Sequence, residues 1–101
     1  MAYQAALTAL ADPTRLQVLE RLRDGPRTVS EIAAGMPVSR PAVSQHLRAL
    51  KDAGLVRDEA RGTARIYRIH ADGLCELRDW LDTFWDDALA RFKDYAEGEK
   101  Q

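Results

Sequence analysis

The sequence is poor in the features that mark secreted, membrane and metal-binding proteins. Cys75 is the single cysteine among 101 residues, which excludes an internal disulfide and any C-x-x-C motif. No run of about 18 apolar residues is present, so we expect no membrane-spanning helix. The first ten residues lack the basic start and apolar core of a secretory signal, and we therefore expect a cytoplasmic protein.

Signals for catalysis are missing as well. His46 and His70 have no nucleophile at a spacing suited to catalysis, and the sequence contains no glycine-rich phosphate-binding loop. The carboxylates after residue 71 lie along the polar side of one predicted helix, with basic residues between them. The sequence therefore predicts that the protein is not an enzyme.

The net charge of −1 conceals two parts of opposite sign. Residues 15–70 hold eleven basic residues against six acidic ones, a net of +5. Residues 71–101 hold four basic residues against nine acidic ones, a net of −5, and Asp12 supplies the remaining −1. A basic part indicates a polyanionic partner. The acidic part is equally well explained by an ordinary solvated helix.

The spacing of apolar residues predicts a single domain with four short helices, a β-hairpin and a long final helix. Asp12 and Pro13 have the types preferred at the cap and first position of the second helix. Ser30 and Ser39 are expected to cap the two helices of a helix-turn-helix. The successive segments are a first helix over residues 1–11, a helix-turn-helix over 30–54, a hairpin or wing over 55–70, and a last helix over 72–96. The predicted fold class is mainly α with a small β-hairpin, in the order α-α-α-α-β-β-α of a winged helix-turn-helix.

The second helix of the helix-turn-helix has an unusual polar side. Its apolar residues already account for its burial, and an ordinary solvated side would carry mostly Glu and Lys. Instead it carries arginines and groups that both donate and accept hydrogen bonds, namely Ser39, Arg40, Pro41, Ser44, Gln45 and Arg48. In a helix-turn-helix this helix enters the major groove of DNA. We expect Arg40 and Gln45 to contact base edges and Arg48 to contact a phosphate, while Ser39 is either a cap alone or also a phosphate donor.

The hairpin is rich in arginine. Arg61, Thr63 and Arg65 lie near its predicted turn, where a basic tip suits contact with phosphates or the minor groove. Arg57 and Arg68 lie lower on the hairpin, and for them we favour ion pairs with neighbouring acidic residues over DNA contact. The sequence therefore predicts double-stranded DNA as a partner.

The last helix carries more aromatic residues than one helix of a small domain needs for its core. Left exposed, such a surface is a liability in a monomer, so we expect a homodimer formed by the first and last helices. The predicted interface residues are Tyr3, Leu7, Leu10, Leu77, Trp80, Leu81, Phe84, Trp85, Ala88 and Phe92. A two-fold arrangement would set the two recognition helices about 34 Å apart.

Three stretches together resemble the ArsR family of bacterial winged-helix repressors. They are "ADPTRLQVLERL", "PVSRPAVSQHLRALKDAGLV" and "RDEARGTARIYRI", and the resemblance covers about residues 5–75. It implies a homodimer that binds palindromic operator DNA, represses transcription and pairs through its first and last helices.

Two features depart from the family's metal-binding members, which use cysteines near the helix before the turn, or His and carboxylate pairs on the last helix. Residues 31–36 contain neither Cys nor His, and the last helix contains no His. We expect no metal, no cofactor and no obvious small-molecule ligand. Two alternatives stay open: a metal- or thiol-responsive repressor that uses His70, Asp72 and Cys75, and a winged-helix module that binds another protein.

Overall fold

The computed structural model describes residues 2–99, and these form five helices and three short strands. In chain order the elements are α1 (Ala2–Leu10), α2 (Pro13–Glu20), β1 (Arg27–Thr28), α3 (Val29–Ala34), α4 (Arg40–Asp52), β2 (Val56–Arg61), β3 (Ala64–Ile69) and α5 (Ala71–Glu99). The predicted mainly helical winged helix-turn-helix is confirmed. None of the helices in residues 2–99 is long and apolar enough to cross a membrane.

The sheet has one strand more than the predicted hairpin. Strands β2 and β3 pair antiparallel from Val56 opposite Ile69 to Arg61 opposite Ala64, as the alternating pattern indicated. The two-residue strand β1 adds to the other edge of β3, so the strand order is β1-β3-β2. The sequence predicts only a brief extended stretch at Thr28 and Val29, whereas the strand covers Arg27–Thr28 and Val29 begins α3. A stretch this short carries no alternation to identify it as a strand, and its pairing with a distant strand defines it.

The core lies where α2, α3 and α4 meet, and α1 and the beginning of α5 close it. The largest of its fully buried side chains are all aliphatic: Val18, Ile32, Val43, Leu47, Leu50, Leu55 and Val56. Each of them contributes about 1.5–3 kcal/mol by leaving water. This core fixes α3 and α4 against each other and so determines which side of α4 stays outside.

The local sequence was sufficient to predict the N-cap of α2 but not that of α3. The Asp12 carboxylate accepts hydrogen bonds from the backbone N–H groups of Arg15 (3.1 Å) and Thr14 (2.9 Å), which lower the pKa of Asp12. This confirms the predicted start of α2. The predicted cap of α3 at Ser30 is wrong, because Thr28 caps that helix in a reciprocal capping box with Glu31.

The last helix begins one residue earlier and ends three residues later than its predicted limits of 72–96. Its 29 residues span about 43 Å, more than half of the longest dimension of the molecule, 69 Å. Its first turn packs closely on the backbone after α4, where a Cβ added to Gly73 would lie 1.8 Å from the Gly54 carbonyl oxygen. Gly73 therefore permits the approach that anchors α5 to the domain.

Candidate nucleic-acid interface

Helix α4 divides sharply into a buried and an exposed side. Val43, Leu47 and Leu50 are fully buried. The six residues predicted to contact DNA from this helix and its cap are all exposed: Ser39, Arg40, Pro41, Ser44, Gln45 and Arg48. We call these six residues the reading face. Their exposure follows from the helical period, since the core takes one side of α4 and leaves the opposite one in solvent.

The reading face begins at the N-terminus of α4. Ser39 is the N-cap, and its hydroxyl accepts a hydrogen bond from the Ala42 backbone N–H at 3.3 Å. Pro41 occupies the first turn, where its missing N–H breaks no hydrogen bond. The predicted cap is confirmed, and the partial positive charge of the helix N-terminus adds to that of Arg40.

The wing, formed by β2, β3 and the turn between them, closes as predicted at residues 61–64. Gly62 takes a φ of +63°, which a glycine adopts without strain, and Thr63 completes the two-residue loop. Arg61 and Thr63 are exposed at this tip. The tip is thus a small, basic, solvent-facing projection beside α4.

Arg65 lies one residue pair below the tip and is engaged by a carboxylate. Its Nε donates to Asp58 Oδ2 at 2.6 Å, and Lys51 Nζ lies 2.8 Å from Asp58 Oδ1. The Asp58 side chain is only 5% exposed, whereas those of Lys51 and Arg65 are about half exposed. Hydrogen bonds from Lys51 and Arg65 hold the pKa of Asp58 below its usual value. We call these three residues the Asp58 cluster.

Sequence reasoning missed the Asp58 cluster. Lys51 was not among the candidates, although it follows Ser44 and Arg48 at the spacing of seven and three residues that places side chains on one side of a helix. That spacing is the signal that would have found it. The sequence favours pairs of Arg57 and Arg68 with either of the neighbouring acidic residues, Asp58 or Glu59. The partners of Asp58 are instead Lys51 on α4 and Arg65 on β3.

On the opposite face of the wing, one expected ion pair is present. Arg68 on β3 pairs with Glu59 on β2, as favoured from the sequence. Arg57 makes no ion pair with any residue in the described part of the chain. The two faces of the hairpin therefore carry separate acid–base pairs, Asp58 towards α4 and Glu59 away from it.

A groove connects the beginning of α3, the reading face and the wing. Ser30, Ser44, Thr63 and Arg65 all line it, together with Thr28 and Tyr67. The hydroxyl of Thr28 already accepts a hydrogen bond as the cap of α3. The structure thus brings together residues predicted separately on three elements, and they surround one polar opening.

The predicted dimer residues fall into two groups. Leu77 is buried in the core of the single chain, and Trp80 stacks on Tyr3 with ring centroids 5.0 Å apart, so these residues join α5 to α1 within one molecule. Leu10 also packs against the core. The others, Leu7, Leu81, Phe84, Trp85, Ala88 and Phe92, are exposed, as are Leu89 and Tyr95. Intrachain packing therefore uses the beginning of α5 and leaves most of its aromatic residues uncovered.

The residues of the metal or thiol alternative lie at the junction of β3 and α5. His70 Nε2 is 3.5 Å from Asp72 Oδ2, and Cys75 is partly buried on the first turns of α5. Across residues 2–99 no three His, Cys, Asp or Glu side chains are grouped so as to hold a metal ion.

The fold and the exposed basic surface of α4 and the wing define a winged helix-turn-helix protein of the DNA-binding class. Residues 12–58 match the model of the family described as "Bacterial regulatory protein, arsR family". A relative from Mycobacterium tuberculosis, HTH-type transcriptional regulator Rv2034, is 50% identical over 94 residues, covering 93% of this chain and 88% of the relative. The chain therefore belongs to the arsR family of bacterial regulatory proteins, as its sequence motifs indicated, and the expectation that it is not an enzyme is confirmed by that membership.

Two further similarities bear on assembly and activity. The transcriptional repressor SdpR of Bacillus subtilis is 33% identical over 76 residues, covering 75% of this chain and 84% of SdpR. A structure from Mycobacterium bovis, described as the homodimeric winged helix-turn-helix DNA-binding domain of Mb0332, has a TM-score of 0.69 and 33% identity. The alignment covers 87% of this chain and 82% of that one.

Proposed function

We propose that this protein is a cytoplasmic, homodimeric repressor that binds a palindromic DNA operator through α4 and the wing. The reading face carries the proposal. The buried side of α4 is wholly aliphatic, and its exposed side presents arginines and hydrogen-bonding groups beside a basic hairpin. A major groove is wide enough for one helix, and its base edges offer the donors and acceptors that such a face recognises.

The proposed roles follow from position along α4. Arg40 and Gln45 contact base edges, because the N-terminal residues of a recognition helix point into the groove. Arg48, about one turn beyond Gln45, contacts a phosphate. Arg61 and Thr63 at the tip of the wing contact the backbone or the minor groove. Phosphate contacts position the protein and base contacts specify the sequence.

The dimer is proposed from the uncovered residues of α5. The side chains of Trp85 and Phe92 are 68% and 70% exposed, and with Leu81, Phe84 and Leu89 they form one stripe along the helix, the apolar stripe of α5. A stripe of this size is rare on a free monomer. The homodimeric domain from M. bovis supports a second copy as the covering partner, and repression is supported by the similarity to SdpR.

The test is selection of duplexes from a random pool by the purified protein at about 50 and 200 mM salt, with and without EDTA. A palindromic site recovered at both salt concentrations supports the proposal. Recovery of no site means that the wing and α4 serve another partner, as in the protein-binding alternative. Recovery that depends on EDTA would bring back His70, Asp72 and Cys75 as metal ligands.

Repression is tested separately by transcription in vitro from a promoter that overlaps the selected site. We expect transcription to fall as the protein is added and to stay unchanged on a template with a scrambled site. An increase in transcription on the intact template would make the protein an activator that uses the same interface.

A further inference from the structure

A nearly buried carboxylate joins the recognition helix to the wing. Asp58 lies on β2, and each of its two oxygens has its own cation: Lys51 Nζ at 2.8 Å from Oδ1 and Arg65 Nε at 2.6 Å from Oδ2. Lys51 belongs to α4 and Arg65 to β3. One side chain therefore ties together three elements that are separate in the sequence.

The Asp58 cluster is better suited to setting geometry than to adding stability. Desolvation of a buried carboxylate offsets much of its attraction to the cations, so apolar side chains of the same volume would stabilise a fold as well. Charge-assisted hydrogen bonds differ from apolar contacts in being directional. A carboxylate that holds one cation on each oxygen restricts how far α4 and the wing can shift against each other.

The position of the cluster places this restriction on the DNA-binding surface. Lys51 continues the line of Ser44 and Arg48 along α4, and the groove between α4 and the wing is lined by Ser44, Arg48, Lys51, Asp58 and Arg65. A duplex that engages both the reading face and the wing lies across this groove. The separation of its two walls therefore decides whether both contacts form at once.

We propose that Asp58 is a positioning residue for DNA recognition, which holds α4 and the wing in the one relative orientation that fits an operator. The inference rests on the proposed function. Specific binding needs base contacts from α4 and backbone contacts from the wing in register, whereas non-specific binding needs mainly positive charge. Loss of Asp58 should therefore lower discrimination between sequences without lowering affinity for DNA in general.

The experiment compares Asp58→Asn with the control Glu59→Gln. Each substitution removes one negative charge from the same strand, but Glu59 pairs with Arg68 on the face of the wing turned away from α4. For each protein, dissociation constants are measured for the palindromic duplex enriched by the wild-type chain and for a scrambled duplex of equal length. Circular dichroism and thermal unfolding report whether each variant is folded.

We expect the ratio of scrambled to palindromic dissociation constants to fall by about tenfold in Asp58→Asn, the size of one lost base contact. It should stay near the wild-type value in Glu59→Gln. Affinity for the scrambled duplex should rise to a similar extent in both variants, because both lose a charge that repels phosphate. A purely structural role of Asp58 would lower the unfolding temperature and leave the ratio unchanged.

Lys51→Gln supplies a second test that keeps the Asp58 carboxylate and its partner Arg65, since only the half-exposed Lys51 side chain is changed. It should also lower the ratio, and the double variant Lys51→Gln/Asp58→Asn should lower it no further than Asp58→Asn alone. If Asp58→Asn does not fold, the ratio measured for Lys51→Gln decides the question.

Three results would overturn the inference. They are an unchanged ratio in folded Asp58→Asn, an equal fall in Glu59→Gln, or a tighter and more selective Asp58→Asn, which would mean that Asp58 competes with DNA for Arg65. Failure of the wild-type chain to enrich any duplex is a different result, because it overturns the proposed function itself and the inference with it.

Discussion

At the scale of single residues, the arginines of this chain separate by what they bind. Arg15 and Arg27 each donate to a backbone carbonyl and so serve the fold. Arg40, Arg48 and Arg61 are exposed and make no ion pair or side-chain hydrogen bond within residues 2–99. Residue type alone does not separate these groups, and the second group consists of the arginines to which DNA contacts are assigned in the proposed function.

The first prediction concerns Arg40. Arg40→Ala should cost about 1–3 kcal/mol in binding to the selected palindrome and relax the base preference at one position of each half-site. Arg61→Ala, at the tip of the wing, is the matched control and should weaken all sequences alike. Binding measured against a panel of single-base variants of the palindrome distinguishes the two, and identical profiles for both variants would contradict the assignment.

The second prediction concerns the titration of Asp58. Its pKa is lowered in the folded protein by Lys51 and Arg65, so its contribution to stability is complete above the ordinary Asp value of 3.8 and disappears as the pH falls through the lower folded value. The difference in free energy of unfolding between the wild type and Asp58→Asn should therefore be constant from pH 7 to about 5 and shrink below about 4.

Urea unfolding at a fixed protein concentration measures this difference. Asp12 and Glu31 also have lowered pKa values, but both proteins contain them and their effect cancels. If the difference in free energy of unfolding between the two proteins persists unchanged well below the folded pKa of Asp58, then Asp58 stabilises the fold through its shape alone.

At the scale of elements, α5 has two parts with different surroundings. Its first turns pack on α1 and the core through Leu77 and Trp80, whereas residues 81–95 are exposed on every side in the single chain. An isolated helix as short as this second part, residues 81–95, is only marginally stable in water. The second part therefore needs a covering partner to be stable, which is the basis of the dimer proposed above.

The third prediction tests that covering. Trp85→Asp places a charge in the apolar stripe of α5 and should convert the dimer to a monomer at micromolar concentration. Ala90→Asp introduces the same charge about 140° further around the helix and should leave the dimer intact. Sedimentation equilibrium of both variants measures the change, and two variants with equal masses would contradict the assigned interface.

At the scale of the whole molecule, two parts of an elongated structure carry opposite net charges. The part that carries the reading face and the wing has a net charge of +5, and the part from residue 71 onwards has a net charge of −5. The molecule is 69 Å long and about 25 Å across. The acidic helix thus lies outside the basic half, and it favours one orientation of the protein on a polyanion.

The fourth prediction is that the salt dependence of DNA binding reveals how many subunits contact the DNA. The logarithm of the binding constant should fall linearly with the logarithm of the salt concentration, and each lost phosphate contact should reduce the slope by about 0.9. Because a dimer contains two copies, Arg48→Gln should reduce the slope by about two. Asp86→Asn on α5 should leave it unchanged, and a reduction of about one for Arg48→Gln would indicate that a single subunit contacts the DNA.

The sequence by itself determined the order of the five helices and the hairpin, and the side of α4 that faces outwards. Asp12 and Ser39 cap the helices they were expected to cap, and the spacing of Val43, Leu47 and Leu50 identified the buried side, because caps and helical periodicity act within a few residues of the chain. The turn of the wing was likewise local, since it depends on a glycine between two alternating strands.

The tertiary structure alone decided which side chains meet across elements. The partners of Asp58, the addition of β1 to the sheet and the place of Leu77 in the core all depend on contacts between residues far apart in the chain. No local pattern encodes them, because the partner of a charged or apolar side chain is set by how the helices and strands pack. The reading face could therefore be predicted from the sequence, whereas the Asp58 cluster that connects it to the wing could not.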